Sequence, residues 1–440
     1  MKRFIDSQLD AWAASERRKP LIVRGARQVG KTWSIRELGR RRFDEVVIVD
    51  LELHRDWHSI FDRDLDATRI VSELDVLNRS RITPGRTLLF FDEIQACPRA
   101  ISALRYFYEQ MPDLHVVAAG SMLEFALGEY PVPVGRVQYL EMYPMTFVET
   151  LWSGGQGAAA QAAAGNPADI GAAVHEHLLK EAWRYCFVGG MPEAVAAYQA
   201  SGRLVDVFAV HAELIASFRD DFAKYAPRVN PNAIGQVLTS VAESVGGQIK
   251  YSRLAPDFSG PTAKSALELL VRARIVRTVA AADPSGLPLT VGAGGSRFKA
   301  VLVDIGLWQS LRGITAGTEF VRGDLLAVHR GAMAEQFIGQ ELAAAQGGNL
   351  CYWCRDKRGS SAEVDYLAVR DGSIFAIEVK SGESGSLRSL HILLDSYKNV
   401  AGGLVFQSGP YAALPDRRLT FLPLYSAWAA VGGVLPTPLI

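Results

Sequence analysis

The 440-residue chain has little cysteine, no net charge and no long apolar run, and each shortage removes a class of protein. Its four cysteines, Cys97, Cys186, Cys351 and Cys354, are scattered, which argues against a disulfide framework and for a reducing compartment. Lysine and arginine total 47, as do aspartate and glutamate, so there is no global signature of a nucleic-acid binder, and any DNA contact must rely on local patches. No run of about 18 apolar residues occurs, so no membrane span is expected. The opening MKRFIDSQLDAWAASERRKP is charged throughout and lacks the apolar core of a secretion signal. A cytoplasmic location is the expectation.

What is present starts at residues 25–32, GARQVGKT, which follow an apolar run and open a stretch of helical periodicity. A glycine-rich turn between a strand and a helix aims several backbone N–H groups at one place, where the helix dipole also favours negative charge. Gly25, Ala26, Arg27, Gln28, Val29, Gly30, Lys31 and Thr32, with Trp33 behind them, form the cradle expected for the phosphates of ATP. Lys31 is expected to reach the β- and γ-phosphates, and the Thr32 hydroxyl to hold Mg2+. The matching acidic segment is LLFFDE at residues 88–93. Its apolar run reads as a buried strand, Asp92 as a metal holder through water, and Glu93 as the residue orienting the attacking water. Hydrolysis also needs positive charge near the γ-phosphate. Arg136, in GRVQYLEMYPMTF, is the candidate, acting in cis or supplied to a neighbouring subunit of a homo-oligomer. The alternative is an ordinary surface arginine.

The length implies several domains. Residues 1–150 alternate short apolar runs with amphipathic segments, the pattern of an α/β domain with a parallel sheet. Strands are predicted at 20–24, 45–51, 87–92, 115–120 and 137–141. The phosphate loop and the acidic pair lie on different strands with another between them in sequence, the arrangement of additional-strand (AAA+-like) ATPases. Ser121, after the strand at 115–120, is the polar residue expected beside the phosphate. Residues 151–173 include SGGQGAAAQAAAGNPADIGAA, rich in Gly and Ala, which predicts a flexible insertion. Residues 174–225 read as a helical lid or linker, with Trp183, Tyr185, Phe187, Phe218 and Phe222 available to pack on the ATPase face. Residues 226–315 give a helix at 234–245, the polar turn KYSRLA, a helix at 263–272 and strands at 275–280 and 298–303. That is the outline of a winged helix, a common one, with Lys264, Arg272 and Arg274 near the second helix.

Residues 325–425 read as a small mixed α/β module with a helix at 333–342 and strands at 350–355, 362–370 and 373–380. A helix at 385–400 and a strand at 403–406 complete it. In EVDYLAVRDGSIFAIEVK, residues 363–380, two strands flank a turn at Asp371 and Gly372. Alternation puts Glu378 and Lys380 on one face, and hairpin pairing brings Asp365 beside them. Asp365 and Glu378 then fit a Mg2+ site, with Lys380 orienting water or steadying a phosphate oxygen and Glu335 as a further ligand. The alternative is a hairpin with a charged, solvated face. Against it stand Phe375, Ile377 and Val379, which mark a buried strand where charge needs a reason. Cys351 and Cys354 form a CxxC without a second pair, and the eight histidines are scattered, so neither reads as a metal site.

Taken together, GARQVGKT, FFDEIQ, AAGSML, GRV with YPMTF, VGGMPEAV, FKAVLVDIGL, AEQFIGQEL, EVDYL and AIEVKSG resemble one family over nearly the whole chain. It is the bacterial and archaeal AAA-type (AAA_14-like) ATPases with a C-terminal domain of unknown function, DUF4143, similar to a PD-(D/E)xK nuclease. The resemblance implies Lys31, Thr32, Asp92 and Glu93 as ATPase positions. It also implies a restriction-endonuclease-like C-terminal fold with Asp365, Glu378 and Lys380 at its core and Glu335 as the helix glutamate. The expectation is an ATP-dependent enzyme that binds and processes duplex or branched DNA. Cleavage is left open, because nuclease-like folds can keep the motif without cutting. The alternative is a signalling or regulatory switch, defence or antitoxin-like, whose C-terminal domain binds nucleic acid or protein.

Overall fold

The structure, a computed structural model, describes residues 1–120, 123, 135–225, 229–291, 297–314, 329–357, 360–381 and 386–432. Two compact units divide between Tyr143 and Pro144.

In the first unit, β1 (Leu21–Arg24), β2 (Glu45–Asp50), β3 (Thr87–Asp92), β4 (His115–Ala119) and β5 (Gln138–Glu141) pair in parallel in the order β2-β3-β4-β1-β5. All five predicted strands are present, and β4 lies between β1 and β3. Parallel neighbours need crossovers, supplied here by α2 (Lys31–Arg42), α3 (Ala67–Asn78) and α4 (Pro98–Gln110), while α1 (Phe4–Ala14) precedes the sheet. Period-two alternation sends Val47, Val49, Leu89, Phe91, Val116 and Ala118 to one core with Ile70 and Leu74 of α3 and Leu104 and Phe107 of α4. The strands β3 and β4 are buried along their whole length, as expected of strands covered on both faces. At about 1.5–3 kcal/mol for each fully buried large apolar side chain, this core fixes the strand ends where the polar residues stand.

The second unit is built on one mixed sheet. Its strands are β6 (Ile249–Lys250), β7 (Val276–Asp283), β8 (Thr290–Val291), β9 (Arg297–Leu302), β10 (Cys351–Lys357), β11 (Ser360–Arg370), β12 (Ser373–Val379), β13 (Val400–Gln407), β14 (Ala412–Leu414) and β15 (Leu419–Pro423). They run in the order β14-β15-β13-β12-β11-β10-β7-β9-β6, with β8 on β7. The helices Pro231–Ser244 and Gly260–Arg272 and the strands β6, β7 and β9 follow the order expected at 226–315. Strands of that segment and of the module at 325–425 share this sheet. β10 pairs in parallel with the end of β7 through Cys351↔Ala280 and Tyr352↔Ala281, covering an edge that would otherwise leave its backbone groups unpaired.

One other expectation changes. Residues 157–164 are an α-helix, Gly157–Ala164, with Ala160 and Ala163 buried. Alanine loses no side-chain entropy in a helix and lets neighbours approach closely, so poverty in large side chains does not make this segment a flexible insertion. Tyr185, Phe187, Phe218 and Phe222 are buried within the second unit, where Tyr185 meets Phe147 and Phe337 edge-on. The compact units divide after Tyr143 because the residues that follow bond within the second unit. Met145 N–H donates to Gly190 O at 2.7 Å and the Tyr185 hydroxyl donates to Met145 O at 2.5 Å. A side chain at Gly190 would overlap the Met145 backbone, which is why that close approach needs glycine.

Glu341, on the helix Arg330–Gln346, accepts the Phe147 N–H at 3.0 Å in the same network. Burial pushes its carboxyl up to about 8, against the Phe147 bond and with help from Glu149. A carboxyl raised above its unfolded value contributes stability that is complete below about pH 4 and is lost as pH rises through the folded value. Glu341→Gln keeps the acceptor oxygen and removes the charge. It is expected to be more stable than the parent by about 1–2 kcal/mol at pH 8.5, with the gap closing by pH 5 in thermal unfolding. A gap independent of pH would contradict this origin.

Candidate functional site

The turn after β1 is built to hold anions. Gly30 caps α2 with φ 99°, in the left-handed region, which glycine adopts without steric cost. The buried Lys31 ammonium donates to Gly25 O at 3.0 Å and Ala26 O at 2.8 Å, so it sits within the loop. Thr32 Oγ1 donates to Asp92 Oδ2 at 2.8 Å, joining the start of α2 to the end of β3. Burial holds the Asp92 carboxyl above the usual range, opposed by the Thr32 hydroxyl and reinforced by the nearby Glu93. A buried carboxylate and a hydroxyl at a helix N-terminus, with a lysine beside them, fit the oxygen ligands of Mg2+ and the phosphates of a nucleotide. Trp33 is exposed on α2 next to the loop. Ser121 lies outside the described residues.

Two side chains of this site carry no sequence motif that assigns them a role. Gln95 Nε2 donates to Glu93 Oε2 at 2.5 Å, and its amide lies against Gly120, where a Cβ would overlap it. Gln95 thus positions Glu93, whose backbone is left-handed at φ 47°. The one sequence signal was a polar residue two places after the acidic pair. Arg3, buried, donates to Val29 O at 3.0 Å and to Tyr143 O at 2.7 Å, tying the chain before α1 to the phosphate loop and to the exit from β5. A single N-terminal arginine gives no such signal.

Arg136 stands elsewhere. It precedes β5, which runs parallel to β1 with Gln138 opposite Leu21 and Glu141 opposite Arg24. The phosphate loop follows Arg24, so Arg136 is at the opposite end of these strands, half-exposed and paired with Glu109 at 3.0 Å. Strand direction speaks against the reading in cis, and both a role toward a neighbouring subunit and an ordinary surface arginine fit its exposure and its ion pair.

In the second unit β11 and β12 form the expected hairpin, with Asp371 and Gly372 both at positive φ in the turn. Asp365 Oδ2 accepts the Val379 N–H at 2.8 Å, and Lys380 Nζ meets Glu378 Oε1 at 2.6 Å. The four predicted residues Glu335, Asp365, Glu378 and Lys380 are thus brought together. The arrangement has a centre that sequence reading missed. Lys299 of β9, only 2% exposed, pairs with Glu335, with Glu363 Oε1 at 3.0 Å and with Asp365 Oδ1 at 3.2 Å. The rings of Tyr352 and Tyr366 lie 5.9 Å from its ammonium. Burial opposes the charge, but Glu335, Asp365 and Glu363 together hold the lysine pKa above its ordinary value. Burial and then Asp365 push Glu335 up to about 8 and Glu378 up to about 7.

A divalent ion shared by Glu335 and Asp365 would compete with the Lys299 ammonium, which takes one oxygen of each, and with the Val379 N–H on the other Asp365 oxygen. Among the described residues no group of three or more His, Cys, Asp or Glu is placed to hold a metal. Glu378 keeps one buried oxygen, Oε2, without a partner, too little by itself for a cation that takes six or more oxygens. The expected Mg2+ ligands Asp365, Glu378 and Glu335 thus lie within an ion cluster that includes Lys299 and Lys380. The available signal was Lys299 inside the apolar run FKAVL, where charge needs a partner.

Comparison with known proteins agrees with the first unit. Residues 17–151 match the profile of an AAA domain, AAA_14. Residues 179–318 and 330–426 match two domains of unknown function, DUF8612 and DUF4143. No curated protein matches the chain. Among solved structures it is similar to the Walker-type ATPase PABY2304 of Pyrococcus abyssi at 16% identity and a TM-score of 0.45, over 71% of this chain and 95% of that one. It is also similar to the RuvB Holliday junction branch migration motor of Thermotoga maritima at 15% identity and a TM-score of 0.29, over 66% and 91%. The domain match and the loop geometry together identify residues 17–151 as a P-loop ATPase domain of AAA type. No described helix is long and apolar enough to cross a membrane.

Proposed function

We propose that this chain couples ATP hydrolysis to the binding of duplex or branched DNA, and that its C-terminal module holds nucleic acid without cutting it. The ATPase half is carried by the Thr32–Asp92 contact of 2.8 Å beside the enclosed Lys31. Mg2+ held by Thr32 and Asp92 would neutralise charge on the transferred phosphate. Glu93, positioned by Gln95, orients water. Arg136 is suited to complete the site of a neighbouring copy in a homo-oligomer.

The DNA half is supported by the helix Gly260–Arg272, which buries Ala263, Ala266, Leu267, Leu269 and Leu270 and exposes Lys264 and Arg272. Its position in sequence after the helix Pro231–Ser244 and β6 supports reading it as the recognition helix of a winged helix. ATP turnover is expected to rise severalfold with duplex or branched DNA at low salt and to lose that rise in the Lys264→Glu/Arg272→Glu double variant, with the DNA-free rate unchanged. Equal turnover with and without DNA across salt would leave the switch reading, in which the C-terminal module contacts protein. The reading without cutting is supported by Lys299, which pairs with the carboxylates a nuclease would use for metal.

A further inference from the structure

Beside the ion cluster the sheet is concave. A cleft of about 580 Å³ opens over Ala281 of β7, whose small side chain leaves room between Arg297 of β9 and Arg355 of β10. Ser361, Glu363 and Ser389 also line it. Its donors outnumber its free acceptors. Glu363 faces the cleft with both oxygens engaged, Oε1 by Lys299 at 3.0 Å and Oε2 by Gln248 at 2.7 Å. Ser389 Oγ accepts the Glu363 N–H at 3.3 Å, leaving its own proton to donate. Arg355 Nε is buried and has no hydrogen-bond partner. A planar guanidinium with an unused buried N–H needs an acceptor that arrives from outside.

We propose that this cleft binds the phosphate ester of a nucleotide, with Arg355 as the main contact and Arg297 and the two serines around it. Arginine's fork matches phosphate oxygens in pairs, and the volume is that of a site for a small ligand rather than a groove for a duplex. The phosphate belongs to one unit of a polynucleotide or to a free nucleotide. Only that choice of source rests on the nucleic-acid reading of the C-terminal module.

The test uses the full chain carrying Lys31→Ala, so that the phosphate loop does not report. Binding of a labelled 5′-phosphorylated oligothymidylate is followed by anisotropy and binding of AMP by calorimetry, each with inorganic phosphate as competitor. At least one probe is expected to bind, to be displaced by phosphate, and to bind about tenfold more weakly with Arg355→Met, with Arg355→Lys in between. Oligothymidylate binding alone assigns the polynucleotide, and AMP binding assigns the free nucleotide. Because the Arg355 Nε has no partner to lose, Arg355→Met should melt at the parent temperature, which separates lost binding from lost fold. Affinity unchanged by Arg355→Met, or no binding of either probe, overturns the proposal. ATP turnover plays no part in this measurement, so its outcome is independent of the DNA-stimulated rate.

Discussion

Lys31→Ala is expected to lower ATP turnover by about a hundred- to a thousandfold and to weaken ATP binding, measured by phosphate release and by a fluorescent nucleotide. The Lys31 ammonium donates to Gly25 O and Ala26 O. Those are the weaker partners of a cation that the loop holds at the point where phosphate charge accumulates. Alanine removes the charge in ground and transition states alike, so both binding and turnover fall. Glu93→Gln separates the two. It keeps the shape and the Gln95 contact and loses only the carboxylate, so turnover should drop on a comparable scale while ATP still binds. Each tenfold corresponds to about 1.4 kcal/mol of barrier, so effects of this size lie well outside assay scatter. Parent-like turnover in Lys31→Ala would remove the phosphate loop from the reaction.

The first unit was legible because its information is local. GARQVGKT carries the backbone conformations and the side chains of one turn, and the strands at 87–92 and 115–120 declare themselves by unbroken apolar runs. The insertion of β4 between β1 and β3 was expected from the likeness to additional-strand ATPases and not from the order of the segments. The place of Arg136 was not legible, for a different reason. Its position depends on which end of β5 faces the loop, which follows from strand direction and not from its neighbours in sequence. The alanine-rich stretch failed because composition was read as a lack of core, whereas Ala160 and Ala163 pack as small residues in a short helix. In the C-terminal module the hairpin and its four charged residues were legible from period-two alternation. The lysine among them was not, since Lys299 lies 66 residues before Asp365 and reaches it only after β7 has joined β10.

Lys299→Met should be the most destabilising of these substitutions, by about 3–5 kcal/mol near pH 8, measured by urea or thermal unfolding. The volume is nearly conserved, so little of the loss comes from packing. It comes from leaving Glu335, Glu363 and Asp365 facing one another in the interior without a cation. The pH dependence identifies that origin. Glu335, already held up to about 8 beside the lysine, rises further once the lysine is gone. The carboxyls of the variant then take protons as pH falls from about 8 to about 5, and its deficit should shrink over that window. Adding Glu335→Gln should recover part of the loss at pH 8, since one of the stranded charges goes with it. A deficit that stays constant from pH 8 to pH 5 would mean that Lys299 acts through packing, and the carboxylates would again be free to hold a metal ion.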